Sequence, residues 1–202
     1  MSQNQVQLLA DAVLGRIFVP LEASARHVHL TPQQCRLLFG DDMIPDRPLS
    51  QPGQYLAKQR VTIIGPKGRF ERVAVLGPPR EHAQVEISMT DSRSLGITAP
   101  IRQSGDTEES PGIILEGLNG RISIQSGVII AQRHLHLTPE AATLFKVKDK
   151  QKVKLHTYTA RPTEFQDVVV RVSPSFSNAA HLDFDEANAC GMKNGDLGRI
   201  IP

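Results

Sequence analysis

Two matched histidine pairs are the residues of this chain best suited to metal chemistry. Arg26–Pro32, with the sequence Arg-His-Val-His-Leu-Thr-Pro, returns in the second half as Arg133–Pro139, with the sequence Arg-His-Leu-His-Leu-Thr-Pro. Four of the seven histidines lie in these copies, and neutral imidazole is a common zinc ligand. Because the pairs are repeated and each stands beside an arginine, they favour metal binding over a purely structural role.

A strand that leads into a short helix is predicted for each copy. Side chains alternate between the two faces of a strand, so both imidazoles of a His-x-His sequence lie on one face. A helix should follow, because Thr31 and Thr138 are suitable N-terminal caps and a proline occupies the first helical position. In the first copy, Gln34 completes a Thr-x-x-Gln capping box.

Each histidine pair needs a third donor to hold a catalytic metal. Glu86 lies in an apolar strand sequence, where an unpaired carboxylate is costly to bury, and His181 is the best remaining donor in the second half. The two expected sets are His27, His29 and Glu86, and His134, His136 and His181. Each set would bind Zn²⁺ with one position open, as catalytic sites do. We therefore expect two zinc ions per chain, although cobalt or another divalent ion could use the same donors.

The elements that position these residues are predicted to be mainly β. The 14 prolines and 15 glycines break long helices, and turn sequences separate short apolar segments. We expect two tandem small β-barrels with short helical caps, related by the internal repeat, over 18–122 and 123–202. An amphipathic helix is predicted over Gln5–Ile17, within an N-terminal segment 1–17. The predicted strands are Arg60–Ile64, Phe70–Leu76, Gln84–Ser88, Ile113–Leu115, Arg121–Ile124, Gly127–Ile130, Lys152–His156 and Asp167–Val172.

Composition argues against several classes of function. The chain has 23 basic and 21 acidic residues, with 4% aromatic residues and no tryptophan, which disfavours nucleic acid as a partner. No apolar segment approaches the ~20 residues that span a bilayer, and the N-terminus does not resemble a secretory signal. Cys35 and Cys190 stand alone, which is typical of a reducing compartment. We predict a soluble intracellular protein whose thiols are buried rather than nucleophilic.

Besides the histidine segments, five others carry a resemblance to a known family: Leu76–Arg80, Gln84–Ser88, Thr90-Asp91, Ala99–Asp106 and Asp185–Ala189. Together they resemble the PduL-type phosphotransacylases of propanediol-using bacterial microcompartments. The resemblance covers roughly Val19 to the C-terminus and implies two tandem β-barrels with a dinuclear zinc site between them. It implies the reaction of acyl-CoA and phosphate to give acyl phosphate and coenzyme A, with acetyl or propionyl as the acyl group.

The same resemblance implies partners and roles for other residues. Arg80 would contact phosphate, and the residues along coenzyme A would be Ser24, Lys67 and Asn188. The chain departs from the family pattern at Ala74, where a basic residue is common, and at Ala25, where asparagine is common. These departures concern coenzyme A and leave the zinc sets intact.

The resemblance also suggests where the chain acts. It implies the microcompartment lumen or the cytoplasm, with segment 1–17 either presented to a shell or core protein or covering a barrel end. A homo-oligomer is compatible with it.

The donor sets suggest a mechanism and leave two alternatives open. Phosphate held by the metals and Arg80 would attack the thioester carbonyl, while zinc stabilises the thiolate and the oxyanion. A dinuclear zinc hydrolase would instead need a bridging carboxylate, which Asp183 or Asp185 could supply. A zinc-stapled scaffold or binding module without catalysis would need closed sites, which usually have four protein donors.

Overall fold

Fifteen short strands and four complete helices make up residues 13–202, the part of the chain that the computed structural model describes. The elements in chain order are β1 (Val19–Ser24), β2 (His27–His29), α1 (Pro32–Phe39), β3 (Pro45–Pro48), β4 (Tyr55–Ile64), β5 (Arg69–Gly77), β6 (Gln84–Ile87), α2 (Met89–Leu95), β7 (Ile101–Arg102), β8 (Ile113–Glu116), β9 (Arg121–Ile124), β10 (Val128–Ala131), β11 (His134–Leu137), α3 (Pro139–Phe145), β12 (Lys152–Tyr158), β13 (Glu164–Val172), β14 (Ala179–Asp183), α4 (Phe184–Cys190) and β15 (Leu197–Ile201).

The prediction of a mainly β protein is confirmed, and each of the eight predicted strands overlaps an observed one. The helix predicted over Gln5–Ile17 lies almost entirely outside the described residues, of which 13–14 are helical and 15–17 form a turn. Among residues 13–202, the helices are too short or too polar to cross a membrane.

A closed six-stranded barrel forms one compact unit, built from the described residues up to Ala23 together with Arg133–Leu182 and Glu186–Pro202. Its strand order is β1-β14-β11-β13-β12-β15, and the pairing of β1 with β15 closes the ring. The core consists of side chains that alternate inward along these strands. Examples are Leu135, Leu137, Leu155 and Leu182, all fully buried.

A nine-stranded sheet forms the second unit, which contains Ser24–Gln132 with Asp183–Asp185. Its order is β7-β10-β6-β2-β5-β4-β8-β9, and β3 pairs with β4. A second closed barrel was expected, but within the described residues this sheet is open, because its hydrogen-bonded order does not join β7 to β9. The physical reason is the shortness of its two end strands, because β7 has two residues and β9 has four.

The sequence repeat is also a repeat of strand topology. The His-x-His strand β2 pairs antiparallel with β6 and parallel with β5, and β11 pairs in the same way with β14 and β13. In each unit the parallel partner is the second strand of an antiparallel pair, β4–β5 or β12–β13. The units are interleaved in sequence, because β1 belongs to the barrel formed by the second half.

The helices after the histidine pairs begin as predicted. The Thr31 hydroxyl accepts a hydrogen bond from the backbone N–H of Gln34 at 3.1 Å, and the Gln34 side chain accepts one from the backbone N–H of Thr31 at 2.9 Å. Thr138 caps the corresponding helix by accepting a hydrogen bond from the backbone N–H of Ala141. These caps end the His-x-His strands at defined positions.

Candidate active site

The first predicted donor set, His27, His29 and Glu86, comes together in the sheet unit. His27 and His29 lie on β2, and Glu86 lies on β6 directly opposite His27 in the antiparallel register. One ligand atom from each residue lies within 4.8 Å of the others, and all three side chains are buried. The distance from His27 Nε2 to Glu86 Oε1 is 3.5 Å. The strand register alone therefore brings a carboxylate to the histidine pair.

Backbone carbonyl groups orient both imidazole rings of this set. Nδ1 of His27 lies 2.7 Å from the carbonyl oxygen of Ala25, and Nδ1 of His29 lies 3.2 Å from that of Leu76. When Nδ1 donates its hydrogen to a carbonyl group, Nε2 carries the lone pair that binds a metal. Such support from outer residues is typical of metal-binding histidines.

The electrostatics of the first set favour the protonation states that bind a metal at His29 and Glu86. Burial, with help from His27 and Arg80, lowers the pKa of His29 to about 2, so that its imidazole is neutral. Burial opposes the charge on both His27 and Glu86, but their contact outweighs it, lowering the pKa of Glu86 and raising that of His27. A metal ion would replace the proton that this contact favours on His27.

The second predicted set, His134, His136 and His181, comes together in the barrel unit. His134 and His136 lie on β11, and His181 lies on β14 directly opposite His134. The rings of His134 and His181 are stacked, with centroids 4.9 Å apart, and the three ligand atoms lie within 4.8 Å of one another. Oε2 of Glu22 is 3.7 Å from Nδ1 of His181, so a carboxylate lies near that ring.

Both groups fit a divalent metal by the chemistry of their donors. Each offers three nitrogen or oxygen ligands from adjacent strands, which is the number that leaves a position open on a tetrahedral ion. Neither cysteine belongs to these groups. Among residues 13–202, the structure thus contains two histidine-rich groups that could hold metal ions, one in each unit.

Arg80 lines a cavity together with His29, one member of the first group. Its backbone N–H donates to the carbonyl oxygen of Leu30 at 2.9 Å, and its Nη1 donates to Ser104 Oγ at 3.1 Å. A cavity of about 320 Å³ is lined by His29 and Arg80 together with residues 52–54, Gly77 and Pro78. A small anion in this cavity could contact the guanidinium group beside His29, a candidate metal ligand.

The residues expected along coenzyme A lie at the edges of elements. Ser24 ends β1 and is partly buried, whereas Lys67 is exposed in the turn after β4 and Asn188 is exposed on α4. The backbone N–H of Lys67 donates to the carbonyl oxygen of Leu95 at 3.0 Å, which fixes that turn. Their role toward coenzyme A stays a prediction. Ala74 lies opposite His27 on β5.

The arginine that precedes the first histidine pair is held by residues that sequence reasoning did not select. Nε and Nη2 of Arg26 donate to the Asp91 carboxylate at 3.0 and 2.7 Å, and the guanidinium carbon lies 4.1 Å from the centre of the Phe70 ring. Asp91 belongs to α2, which follows the strand that carries Glu86. The arginine therefore ties the start of the His-x-His strand to the segment after the third donor.

The second half repeats this arrangement, which we call the arginine clamp. Nη1 of Arg133 donates a hydrogen bond to Glu186 Oε1 at 2.7 Å. The guanidinium carbon of Arg133 lies 5.9 Å from the centre of the Phe165 ring. Glu186 follows His181 at the same spacing at which Asp91 follows Glu86. That equal spacing is the sequence signal by which both acidic residues could have been found.

Comparison with known proteins identifies the family. The model of the phosphate propanoyltransferase family matches residues 20–193. The phosphate propanoyltransferase of Enterococcus faecalis is 49% identical over 183 residues, which cover 90% of this chain and 87% of that protein. That of Clostridioides difficile is 45% identical over 205 residues and covers 98% of both chains. That of Thermotoga maritima is 48% identical over 181 residues, with 88% and 86% covered. The chain belongs to the phosphate propanoyltransferase family.

Membership of the phosphate propanoyltransferase family confirms the predicted family and the predicted enzyme class, a phosphate acyltransferase.

The hydrolase alternative needs a carboxylate that bridges two metal ions, and Asp183 and Asp185 were its candidates. Asp185 accepts hydrogen bonds from Ser88 Oγ at 3.2 Å and from the backbone N–H of Thr90 at 2.8 Å, so it caps α2. Neither Asp183 nor Asp185 belongs to the donor groups found among residues 13–202.

The two thiols of this chain are buried, as predicted. Cys35 and Cys190 are unpaired and less than 2% exposed. Burial raises the pKa of both thiols. A thiol that resists ionisation is a poor nucleophile, which argues against an acyl-cysteine route.

Proposed function

We propose that this chain interconverts propanoyl-CoA and phosphate with propanoyl phosphate and coenzyme A, using metal ions held by the two donor groups. The observation that carries the proposal is the cavity that His29 and Arg80 line together. At about 320 Å³ the cavity has room for a phosphate ion, and it places the Arg80 cation beside the proposed metal ligand His29. The propanoyl group comes from the names of the relatives, and acetyl-CoA is the alternative substrate to compare.

Arg80 is the proposed phosphate-binding residue. A guanidinium group has five N–H donors in a planar fork, so Arg80 can bind two phosphate oxygens while it keeps its hydrogen bond to Ser104. Arginine is suited to this task because its fork matches the spacing of phosphate oxygens and its charge persists at any physiological pH. A lysine at this position would supply charge without the paired geometry.

The proposed metal is zinc, bound by His27, His29 and Glu86 and by His134, His136 and His181. A bound zinc ion would supply Lewis-acid polarisation of an oxygen and a soft acceptor for a thiolate. Because only one of the six ligands is a carboxylate, the donors leave most of the charge of two divalent ions uncompensated, which suits a phosphate dianion. From the family resemblance we further infer that the two ions act together as a dinuclear centre.

The proposed reaction is a direct transfer to phosphate. A phosphate oxygen held by Arg80 attacks the carbonyl carbon of the thioester, the carbon–sulfur bond breaks, and coenzyme A leaves as a thiolate. No enzyme nucleophile is required, which agrees with the burial of both thiols. Ser24, Lys67 and Asn188 are proposed contacts of coenzyme A, with the Lys67 ammonium group toward its phosphates.

Metal content and phosphate-dependent turnover test this proposal. We expect about two zinc ions per chain, release of thiol from propanoyl-CoA only when phosphate is present, and loss of activity on chelation with recovery on adding zinc. His134→Ala should lose metal and activity, whereas the control His156→Ala removes a histidine outside both groups. Thiol release without phosphate would instead identify a hydrolase, and metal without any turnover would identify a scaffold.

Zinc pairing has a separate test. The cobalt-substituted enzyme should show magnetic coupling between its two Co²⁺ ions in electron paramagnetic resonance. Independent, uncoupled signals would refute a dinuclear centre while leaving the reaction itself standing.

We also propose that segment 1–17 directs the enzyme to a microcompartment, by contact with a shell or core protein. The described end of this segment supports the idea, because Val13, Leu14 and Ile17 are 51%, 40% and 44% exposed. Deleting residues 1–17 should abolish encapsulation and keep activity in solution. Loss of both would show that the segment covers the enzyme itself.

A further inference from the structure

Gln84 has a buried side-chain amide whose hydrogen bonds all go to the candidate active site or to the loop beside it. The residue is 3% exposed and stands two positions before Glu86 on β6, so both side chains point to the same face. Its Nε2 donates to Glu86 Oε1 at 2.5 Å and to Ser104 Oγ at 2.9 Å, and its Oε1 accepts from the backbone N–H of Gly105 at 2.8 Å. One neutral side chain therefore contacts a metal ligand and a loop at once.

Ser104 is the second member of this network. Its hydroxyl oxygen accepts hydrogen bonds from Gln84 Nε2 and from Arg80 Nη1. A hydroxyl oxygen has two lone pairs, so these two hydrogen bonds use its full accepting capacity.

The network connects two side chains that have different proposed roles. Glu86 belongs to the first donor set, and Arg80 lies in the cavity where phosphate is proposed to bind. We propose that Gln84 and Ser104 are positioning residues that hold the Arg80 guanidinium group at a fixed place relative to the metal ligand Glu86. This inference rests on the proposed function of Arg80.

If the role of Gln84 were purely structural, we would expect it to have different hydrogen-bond partners. An amide that only stabilises the sheet needs partners of any kind, and the half-buried Gln59 in the same unit illustrates this. Gln59 bonds through its side chain to the backbone of Ile44 and Asp42 at 3.0 and 2.8 Å, away from the donor sets. Gln84 instead directs both hydrogens of its amide to side chains at the site.

Ser104→Ala is the principal test, because Ser104 lies in a loop between β7 and β8 where loss of a hydroxyl group leaves the sheet intact. We expect kcat/KM for phosphate to fall about 10-fold or more, mainly through KM for phosphate, while KM for propanoyl-CoA and zinc content change little. Ser104→Thr keeps the hydroxyl group and should recover most of the loss. Gln84→Met, which keeps the length of the side chain, should lower both phosphate use and zinc affinity.

Matched controls separate positioning from general stability. Ser92→Ala removes a buried hydroxyl group of the same unit, which donates a hydrogen bond to the carbonyl oxygen of Ile97 at 2.7 Å. Gln59→Met removes a different glutamine amide. Neither should raise KM for phosphate. If either control raises it as much as Ser104→Ala does, the proposed positioning role is wrong.

A double-mutant cycle distinguishes this inference from the proposed function on which it rests. Because Ser104 acts through Arg80, Ser104→Ala should have little further effect on KM for phosphate in an Arg80→Lys background. Effects that simply multiply would overturn the inference. If Arg80→Lys alone leaves KM for phosphate unchanged, the phosphate role of Arg80 fails instead, whatever Ser104→Ala does.

Discussion

Replacing Arg26 with methionine should destabilise the protein by about 2 kcal/mol. The change removes two charge-assisted hydrogen bonds to Asp91, whose side chain is only 5% exposed. Breaking a fully buried ion pair costs about 3–5 kcal/mol, because the remaining charge is left without compensation. The Arg26 side chain is 34% exposed, so water would screen the Asp91 carboxylate in the variant and reduce that cost by roughly half.

Equilibrium unfolding in urea and thermal melting measure this loss. For a chain of this size, 2 kcal/mol corresponds to a fall in Tm of about 4–8 °C. Arg36→Met is the matched control, because Arg36 pairs with Asp42 at a similar distance, 2.8 Å, but the two side chains are 63% and 68% exposed. An exposed pair of this kind should contribute less than about 1 kcal/mol.

A double-mutant cycle assigns the effect to the ion pair. Arg26→Met and Asp91→Asn should share most of their cost, since each removes the same interaction. The reasoning is refuted if Arg26→Met and Arg36→Met lower stability equally. It is also refuted if the two changes in the cycle are additive, because the clamp would then contribute through packing on Phe70 alone.

Further predictions concern a close contact, the thiols and the metal. Gly77→Ala should lower stability by about 1–3 kcal/mol, because a Cβ there would overlap the Tyr55 ring; a thermal melt unchanged from the parent would contradict that contact. Cys35 and Cys190 should not react with a thiol reagent in the folded protein and should both react in denaturant, since they are buried; a thiol that reacts quickly without denaturant would reopen an acyl-cysteine route. Removing metal with a chelator should leave the β-sheet circular dichroism unchanged, because the donors lie on hydrogen-bonded neighbouring strands; loss of the sheet signal would mean that metal is required for folding.

The local structure around the histidine pairs could be predicted because it depends on neighbouring residues. Period-two alternation places both imidazoles on one face, and Thr31 and Thr138 determine where each helix begins. The same local signals, apolar runs bounded by glycine and proline, identified the strands at the centre of both units. The carboxylate of Glu86 was predictable because its apolar neighbours made an exposed position unfavourable.

Other features depend on pairing between distant segments and carry little local signal. The closing strands of the barrel, β1 and β15, are joined by pairs such as Val19 and Gly198, which no periodicity connects. The open end of the sheet unit follows from the shortness of β7. Ser104 reaches Gln84 through the loop between β7 and β8, where no strand or helix was predicted. The arginine clamp was missed because an arginine beside a histidine pair suggests a ligand-binding role before a structural one.

In both units the third donor stands directly across a strand pair from the first histidine. The backbone hydrogen bonds of the sheet hold these side chains close together, so folding of the chain by itself assembles each group. Ions can then enter and leave without refolding, and such a site has little means of rejecting a similar cation by shape. Any metal that these groups bind in a cell would accordingly depend on the local supply of divalent ions as well as on intrinsic affinity.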